Sequence, residues 1–545
     1  MDDPADVMKV EWRDWGPAAF AEARETDRPV LLSITAAWCG WCQTMDATTY
    51  AEPGLAAMVN HDVVPVRVDA DRHPRVRDRY NVGGFPSTIF LTPDGHLIAA
   101  ASFLKDEQLR RMLERIAADY EEESDGIGRT PHTLADETPP AGEVTVDVER
   151  YINGQVDAQF DDDHGGWGTE EKFPLPGTVE FALKRHQDTA TATLDAIRAG
   201  LADPVDGGFF RHANASDWSD PTREKLLDVN AGLLRAFAHG YLVTGHERYR
   251  QTAAEAVRFL DETLWTGEGF ATSQQPGEYF ELGAEERRSA APPAVDETVY
   301  AAPNARAVDA LSWFVAYTDD ERARDLASDA LAVLRESFLE EGAVAHYPGD
   351  PGPGILASQA AALEAFTSAA QVLDPDYVNL ARTVADDTVE RLQTDSGAFR
   401  DGPLAGPALL DEPLYPIDDN AWMADALVDL HHLTGDETYL AAAHDAVAAF
   451  AGAAEQMGPQ VAAYGTAASR VVRRPLVIGV GTEPGEDLHR AALRMADHEK
   501  VVVPAADAVP AGRAALLTPD GPLGDAGSPT ELASLVVEYE PTVRE

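Results

Sequence analysis

The sequence predicts a multidomain protein: an N-terminal α/β domain, then an all-α (α/α)6 toroid of helical hairpins, and a small C-terminal α/β extension. Three observations indicate this fold class. The chain has 545 residues, more than one ordinary domain needs. Short apolar runs alternate with helical patterns over residues 1–120, and a repeat of paired helices begins near residue 143. We therefore expect domains at 1–120, 143–472 and 473–545, and an acidic, Pro- and Gly-containing linker at 121–142.

The N-terminal segment alternates between strand and helix patterns. A buried strand is expected first, and a hairpin around a Pro-Asp-Gly turn follows the second helix. The last helix is amphipathic, with Leu109, Leu113 and Ile116 on one face. In chain order the predicted elements are a strand at Pro29–Ile34, a helix at 40–51, a strand at Val63–Ala70, a helix at His73–Tyr80, a hairpin at Ser87–Ser102 and a helix at Lys105–Tyr120.

The helical region contains an internal repeat. Val243–Leu260 aligns with Leu433–Phe450, and Tyr317–Leu334 and Leu373–Leu392 are weaker copies. Short Gly-aromatic stretches follow the pairs, and roughly twelve helices fit before residue 472. Six hairpins can close into a barrel or stack as an open solenoid, and the irregular spacing of the repeats favours the closed barrel. The segment Pro475–Ala506 then reads as strand–helix–strand and is expected to pack on the barrel.

The composition is strongly acidic. Lys and Arg number 43 against 94 Asp and Glu, which gives a net charge of −51, and the acidic residues are spread along the chain. Such a surface repels nucleic acid and anionic membranes, so we expect neither as a partner. The composition is typical of adaptation to high salt, where charge repulsion is screened within a few ångströms. The chain shows no signal peptide and no apolar run of about 20 residues, so a cytoplasmic location is expected.

The two cysteines, Cys39 and Cys42, are the only ones in the chain and lie in the stretch "AAWCGWCQTM". A thiolate at a helix N-terminus faces unpaired backbone N–H groups, which lower its pKa. We expect Cys39, at the exposed end, to be the nucleophile and Cys42 to resolve the mixed disulfide. Trp38 and Trp41 are expected to wall the site. The only redox group expected is the Cys39–Cys42 disulfide, with no other cofactor.

A later motif, "GGFPSTIF", places Pro86 just before a strand, where a cis peptide bond would lie beside the thiols. Together with the W-C-x-x-C stretch, it makes residues 1–120 resemble thioredoxin. Three positions differ from the ordinary pattern: Trp41 replaces Pro, Gln43 replaces a basic residue, and Ser33 replaces the buried Asp that transfers protons. Two alternatives stay open, an inactive thioredoxin-like domain and a metal site in which His61 and His73 assist the thiols. We expect no metal, because zinc usually requires four ligands.

Over nearly its whole length the chain resembles the YyaL-type family related to spermatogenesis-associated protein 20. That family has C-H-W-C-H where this chain has C-G-W-C-Q, and its G-G-F-G…K-F-P segment resembles "HGGWGTEEKFP". This chain lacks the family's G-G-T-Y-F-P insert and cysteine-bearing tail. The resemblance implies a thioredoxin-like domain joined to a six-hairpin, glycosidase-like barrel. Its motif is matched in the barrel by Arg211, Trp218, Glu224, Lys225 and Asn230. Together with His212 and Asp419, which lie in the connecting loops, these are the tentative ligand-binding positions.

Barrels related to this family include glycosidases and sugar epimerases, which use paired acid–base groups in a central cleft. For single carboxylates the alternative is a solvated surface position, and for Arg211, Glu224 and Lys225 it is an ion-pair network that braces the barrel. Aromatic residues near the loops could stack on sugar rings or pack in the core: Trp167, Phe209, Phe210, Trp218, Phe270 and Tyr279. The loop residues expected to face the cleft are Asp161, His164, Asp206, Arg211, His212, Glu224, Asp296, Asp418 and Asp419.

Two functions follow from these observations. The first is a thiol–disulfide oxidoreductase that acts on a protein thiol or disulfide client, with a barrel that selects the client or ligand. The second is a barrel that binds or modifies a carbohydrate-like ligand, with a regulatory or inert thioredoxin-like module.

The acidic composition makes a prediction about folding. Removal of salt lengthens the range of charge repulsion, so the chain should lose secondary and tertiary structure between molar and millimolar KCl. Circular dichroism and tryptophan fluorescence across a KCl series measure this loss. Spectra that stay unchanged down to millimolar KCl would contradict salt adaptation.

Overall fold

A computed structural model describes residues 9–122, 126–134 and 138–543. The chain divides into two compact units. The first comprises the described residues up to Thr138 together with Asp401–Leu414, and the second comprises Pro139–Arg400 with the chain from Tyr415 onward.

The N-terminal unit is built on a five-stranded sheet with the strand order β1-β3-β2-β4-β5. Strand β2 lies at the centre, parallel to β3 and antiparallel to β4, and all but its last residue are buried. Its β-branched and leucine side chains suit a strand covered on both faces. The strands are β1 Arg13–Asp14, β2 Val30–Thr35, β3 Val64–Asp69, β4 Ser87–Leu91 and β5 Leu97–Ala101. The helices are α1 Pro17–Thr26, α2 Gly40–Ala47, α3 Pro53–Asp62, α4 Pro74–Tyr80 and α5 Asp106–Glu122.

The predicted elements of this unit are confirmed, with ends shifted by a few residues, and two helices were missed. Helix α1 buries only Ala19, Phe20 and Ala23, so its apolar face is too narrow to give a clear period. Helix α3 begins with Pro-Gly, a pair that in sequence is typical of a turn, and the carboxylate of Glu52 caps its first N–H groups. Helix α1 is stabilised by the burial of three residues, and helix α3 by the Glu52 cap.

The expected linker at 121–142 is wrong for residues 126–134, which are packed against the N-terminal unit. Leu97 and Arg129 exchange two backbone hydrogen bonds of 2.7 and 3.0 Å. A 3₁₀ turn follows at His132–Leu134, where the Thr133 hydroxyl donates to the carbonyl of Arg79 at 3.0 Å. Residues 123–125 and 135–137 of the expected linker lie outside the described residues.

The segment Asp401–Leu414 corrects the expected domain boundaries, because sequence order assigns it to the barrel. Arg79, only 2% exposed, donates to Asp401 at 2.6 Å and to the carbonyls of Leu409 and Glu412 at 3.0 and 2.6 Å. Arg75 donates to the same Asp401 carboxylate at 2.7 Å. A buried guanidinium requires several acceptors, and this segment supplies them.

The second unit contains a closed ring of six inner helices surrounded by six outer helices, which confirms the (α/α)6 toroid. Each inner helix packs on the next one in the chain, and the last packs on the first, so the ring has no open end. The outer helices are α6 Val146–Ala158, α8 Gln187–Gly200, α10 Glu247–Phe259, α13 Glu321–Val333, α15 Tyr377–Leu392 and α17 Glu437–Ala448. The inner helices are α7 Pro176–Arg185, α9 Leu227–Thr244, α12 Ala301–Thr318, α14 Leu356–Val372, α16 Ile417–Thr434 and α18 Ala462–Arg473; a one-turn helix, α11 Ala284–Arg287, lies in a loop.

The repeat noted in the sequence comes from the tight turn inside each hairpin. Gly245 ends α9 and Gly435 ends α16 with φ values of 67° and 72°, and each glycine N–H returns to a carbonyl of the last turn. This left-handed C-cap favours glycine, which has no Cβ to clash. Between α12 and α13 the same position is Asp319, at φ 59°.

Short strands cross the loops that join the hairpins. Two helices also end in a π turn, at Leu260–Leu264 and Leu334–Phe338. The two-residue strands are His212–Ala213, Pro221–Thr222, Lys225–Leu226, Ser273–Gln274, Val295–Asp296, Leu339–Glu340 and Ala343–Val344.

The C-terminal extension packs on the barrel, as predicted. Its apolar side chains join the same continuous core as the barrel helices. The amide of Gln371 on α14 marks the junction, where its Oε1 accepts the N–H of Val502 at 2.9 Å. The sheet contains, in spatial order, Val501–Val503, Val477–Val480, Ala514–Thr518 and Gly521–Ala526, and its helices are Asp487–Leu493 and Pro529–Val543.

The Arg79 contacts make a prediction about stability. The substitution Arg79→Met leaves the Asp401 carboxylate and two carbonyls short of a donor, so the N-terminal unit should lose about 3 kcal/mol of unfolding free energy. Urea titration in constant molar KCl, followed by tryptophan fluorescence, measures it. Arg115→Met is the control, because that side chain is 82% exposed and pairs only with Asp119. Equal midpoints for the two variants would contradict the assignment.

Candidate redox site and barrel axis

Cys39 and Cys42 form a disulfide at the start of α2, directly after the central strand β2. Cys39 is the N-cap residue of the helix, and its Sγ accepts the backbone N–H of Cys42 at 3.0 Å. The residues between the cysteines form the first turn, so both sulfur atoms lie at the positive end of the helix. This arrangement is the predicted one.

The predicted exposure of Cys39 is wrong in this oxidised form. Cys39 is 5% exposed and Cys42 is 4% exposed, so burial does not distinguish them. The two residues between the cysteines are exposed instead: Gly40 is exposed, and the Trp41 side chain is 67% exposed. Cys39 differs from Cys42 by its place at the helix cap.

The two tryptophans occupy different environments. Trp38 is buried and packs edge-to-face on Phe85 at a centroid distance of 5.4 Å, while its Nε1 donates to Asp71 at 2.8 Å. Phe85–Pro86 is a cis peptide bond, as predicted, so Trp38 fastens the Pro86 loop to the disulfide loop. Trp41 lies outside, in edge contact with Phe103 at 5.6 Å.

Carboxylates of the β3–α4 turn hold the loop before Cys39, and the sequence analysis missed them. Asp69 accepts the backbone N–H of Ala37 at 3.1 Å through one oxygen and that of Asp71 at 2.9 Å through the other. The signal was present as D-A-D at the end of the predicted strand, but acidic residues are so common here that it did not stand out.

Hydroxyl groups lie around Ser33, the residue that replaces the buried Asp of thioredoxin. Ser33 on β2 is fully buried and lies opposite Arg67 of β3 and Thr88 of β4. Burial raises the pKa of Tyr50, while the nearby hydroxyls of Ser33 and Thr88 oppose that rise. The interior beneath the disulfide therefore has no carboxylate at this position to take up a proton.

The histidines considered for a metal site are engaged elsewhere. His61 is on the surface beside Asp62, with Nδ1 and Oδ1 2.6 Å apart, and His73 precedes α4. Within the described ranges no group of three or more His, Cys, Asp or Glu side chains is arranged to hold a metal ion.

Asn230 has a structural role that repeats around the barrel. Its side chain accepts the N–H of Phe209 at 2.7 Å and donates to the carbonyl of the same residue at 3.1 Å. Asn304 and Asn420, each at the same position of an inner helix, form the same pair of bonds with Phe270 and Phe399. Asn230 therefore fastens a Gly-aromatic stretch to the next inner helix.

The charged candidates in the same loops form an ion-pair network, which was the structural alternative. Lys225 is fully buried and donates to Asp203 and to the Gly207 carbonyl, both at 2.7 Å. Asp203 also accepts from Arg287 at 2.8 Å. Burial lowers the pKa of Lys225, and the Asp203 carboxylate opposes that shift.

The other tentative ligand residues pack nearby. Arg211 donates to Glu224 at 3.2 Å, and burial raises the pKa of Glu224. Trp218 Nε1 donates to the carbonyls of His164 and Gly165, and the His212 ring stacks on Phe173 at 4.6 Å. Asp419 lies near Arg306. The aromatic residues Trp167, Phe209, Phe210, Trp218 and Phe270 are buried in the core, and Tyr279 is half-buried.

Two cavities lie along the axis of the inner ring, and they correct the predicted cleft. The upper cavity, of about 240 Å³, lies at the N-terminal ends of inner helices. The lower cavity, of about 80 Å³, includes His498 and Lys500 from the C-terminal extension. Of the residues predicted to face the cleft or bind a ligand, only Asp418 lines either cavity. Asp161 instead pairs with Lys172, Asp206 pairs with Arg287, Asp296 accepts from Thr298, and His164 lies beside Asp161.

A belt of charged side chains separates the two cavities, and every inner helix contributes to it. Arg235 of α9 forms a two-point pair with Glu180 of α7 at 2.9 Å, donates to Asp309 of α12 at 2.8 Å and contacts Glu364 of α14. Burial raises the pKa of Glu180, Asp309 and Glu364, and Arg235 opposes each rise.

The opposite side of the belt is a second ion pair. Arg470 of α18 donates to Asp425 of α16 at 2.6 Å and contacts Asp429 one turn further along. Burial raises the pKa of Asp429 to about 6. In the lower cavity, burial lowers the pKa of Lys500 to about 7 and that of His498 to about 4. The axis is therefore charged, with more acids than bases.

Comparison with known proteins places both units among related chains. Residues 5–138 match a family model described as Thioredox_DsbH, a protein family of unknown function, DUF255. The human protein named spermatogenesis-associated protein 20 is 25% identical over 294 residues, covering 47% of this chain and 37% of the human one. An uncharacterized protein of Caenorhabditis elegans is 24% identical over 299 residues, covering 49% of this chain and 41% of that one.

These matches confirm the resemblance to the YyaL-type, spermatogenesis-associated protein 20 family, although the chain aligns with less than half the length of the two curated relatives. Among solved structures, a sugar epimerase from a ruminal bacterium has a TM-score of 0.46 and 13% identity. It covers 55% of this chain and 84% of its own. In the described part of the chain, no helix is both long and apolar enough to cross a membrane.

Proposed function

We propose that the N-terminal unit is a thiol–disulfide oxidoreductase that cycles Cys39 and Cys42 between the dithiol and the disulfide. The observation that carries the proposal is the place of Cys39 Sγ at the cap of α2, where it accepts the N–H of Cys42 at 3.0 Å. A hydrogen bond from the backbone and the positive end of the helix both stabilise a thiolate at that atom.

The reaction transfers one disulfide. The Cys39 thiolate attacks a sulfur of a client disulfide, and one client thiolate leaves and takes up a proton. The Cys42 thiol then loses its proton and attacks Cys39 Sγ, which releases the second client thiol and forms the Cys39–Cys42 bond. A dithiol reductant restores the reduced pair, so two electrons and two protons pass from the reductant to the client.

The surroundings support this order of events. Cys42 lies in the first turn of the helix, behind the N-cap residue Cys39. The exposed residues next to Cys39 are Gly40 and Trp41, so we expect a client sulfur to approach at the helix cap. The missing buried acid at Ser33 leaves no carboxylate to deprotonate Cys42 from within. We therefore expect slow resolution, with the mixed disulfide on Cys39 accumulating.

The test is reduction of oxidised glutathione labelled with a self-quenching fluorophore, with dithiothreitol as reductant in molar KCl. Wild type should accelerate the reaction at least tenfold over buffer, because a stabilised thiolate attacks faster. Cys39→Ser should return it to the buffer rate, and Cys42→Ser should accumulate a glutathione adduct visible as a mass increase on Cys39. Ala47→Ser, in the same helix and exposed, should match wild type.

Equal rates for Cys39→Ser and wild type would reject the oxidoreductase. An adduct that forms on Cys42 when Cys39 is replaced, at the wild-type rate, would reverse the assigned roles.

A second candidate function concerns the barrel, and the upper axial cavity favours it. The cavity combines an indole, Trp422, with carboxylates and guanidinium groups, which is the mixture of ring face and hydrogen-bonding groups that a carbohydrate requires. The Asp418 carboxyl group lines the same cavity; burial raises its pKa, and the nearby Arg306 opposes that rise. In this function the barrel binds or modifies a carbohydrate-like ligand.

Thermal denaturation with glucose, mannose and cellobiose at high concentration tests this candidate. A ligand of the cavity should raise the melting temperature by several degrees, because binding to the native state alone stabilises it. Trp422→Ala should abolish the shift, and Tyr151→Ala, an exposed residue of α6, should retain it. The absence of any shift with these sugars and with glucosamine would reject the candidate.

A further inference from the structure

We propose that the upper axial cavity binds a small polyhydroxylated ligand that carries a protonated amino group, as an amino sugar does. The inference rests on the second candidate function and names the chemistry that the cavity selects. Its argument comes from the charges on the cavity wall, from a buried oxygen without a donor, and from the distribution of apolar surface.

The wall of the cavity carries an excess of negative charge. Four carboxylates line it, from Asp228, Asp309, Glu364 and Asp418, against the two guanidinium groups of Arg235 and Arg306. Both cations are already committed, since Arg235 also holds Glu180, and Arg306 pairs with Asp228. Charges removed from water require an opposite charge close by, and the wall lacks cations for all its acids.

One carboxylate oxygen in this wall is buried and has no donor. Asp309 is 1% exposed, and its Oδ2 accepts from Arg235 at 2.8 Å. Its Oδ1 is buried and accepts no well-formed hydrogen bond from any residue that the structure describes; the Ser368 hydroxyl lies nearby but donates to the Glu364 carbonyl at 2.7 Å. Buried polar atoms nearly always have a partner, so a donor from outside the protein is expected at this oxygen.

Asp418 provides a second acceptor near the mouth. It is the second residue of α16, and no described residue donates a hydrogen bond to its carboxylate. Burial raises the pKa of its carboxyl group, and the nearby Arg306 opposes the rise. An ammonium group would supply both the missing positive charge and the missing N–H donors.

The rest of the cavity indicates the ligand's other groups. Pro174, Leu175 and Pro176 form an apolar wall before α7, and Leu175 is held at φ 42° between the two prolines. The aromatic side chain in the lining, Trp422, already contacts a cation, because the Arg306 guanidinium lies 3.9 Å from its ring centroid. A lining that combines apolar and acidic side chains suits a compact ring with one hydrophobic face and hydroxyl groups at its edge.

A neutral polyol would satisfy this cavity less well. Its hydroxyl groups can donate to the Asp309 and Asp418 oxygens, but they leave the excess negative charge unbalanced. Hydrogen bonds between ionised partners are about twice as strong as neutral ones, so charge decides the selectivity. Glucosamine and glucose differ at one position in this respect and form a matched pair of probes.

Titration calorimetry of the full-length oxidised chain in constant molar KCl tests the proposal. We expect glucosamine to bind at least tenfold more tightly than glucose, since a charge-assisted hydrogen bond is stronger than a neutral one. Asp418→Asn and Asp309→Asn should each remove most of that preference while glucose binding changes little. Asp325→Asn, on the outer helix α13 and exposed, controls for general attraction to an acidic protein.

The possible outcomes separate the two proposals. Glucose that binds as tightly as glucosamine overturns the ammonium inference and leaves the carbohydrate function standing. If neither probe binds, both fail. Asp309→Asn can disturb folding because it alters a pair with Arg235, so Asp418→Asn is the deciding variant. A preference for glucosamine that survives Asp418→Asn in a folded protein overturns the assignment of the site.

Discussion

When six inner helices close into a ring, side chains have to fill the space along its axis. This constraint shapes the second unit. Here the axis is filled with ion pairs around Arg235 and Arg470 instead of interlocking apolar side chains. Each inner helix supplies a charged residue, so the ring is held by contacts that no two neighbouring helices could make alone. Buried ion pairs are costly to desolvate, and apolar side chains of similar volume often stabilise a fold as well.

The outer part of the same barrel is organised by a different device. Asn230, Asn304 and Asn420 each fasten a Gly-aromatic loop to the following inner helix through two hydrogen bonds to one phenylalanine. On α14, Gln359 takes the equivalent position and accepts the N–H of Val344. The loops that carry the cavity mouth are thus rigid by hydrogen bonding, and their conspicuous aromatic and charged residues serve the scaffold. A function of the barrel has to be sought on the axis.

In the N-terminal unit, the disulfide is held by its surroundings on two sides. Asp69 and Asp71 fasten the loop that precedes Cys39, and Trp38 packs against the loop that contains Pro86. The environment beneath is built from hydroxyl groups in place of an acid. This combination positions Cys39 at the helix cap and leaves a hydroxyl group, Ser33, at the buried position on β2.

Much of the architecture was predictable because it depends on local patterns. The succession of strands and helices along residues 1–120, the C-x-x-C at a helix start, the cis bond at Pro86 and the twelve barrel helices all leave periodic or motif signals over short distances. The assignment of Asp401–Leu414 to the first unit left none, because it depends on Arg79, more than 300 residues earlier in the chain. The charged loop residues Arg211, Glu224 and Lys225 were predicted as ligand-binding candidates, and the structure shows them in ion pairs. The sequence alone cannot distinguish a buried ion pair from a contact with a ligand.

The sequence by itself determined the chemistry available: one pair of thiols at a helix start, a strongly acidic composition, and a repeat that closes into a ring. The tertiary structure alone decided which of 94 acidic side chains are removed from water. Asp309, Glu364 and Asp418 are ordinary polar positions in a helical pattern, and they become distinctive only when six helices from distant parts of the chain enclose them. Burial is a property of the assembled ring, and it is burial that raises the pKa of these carboxyl groups.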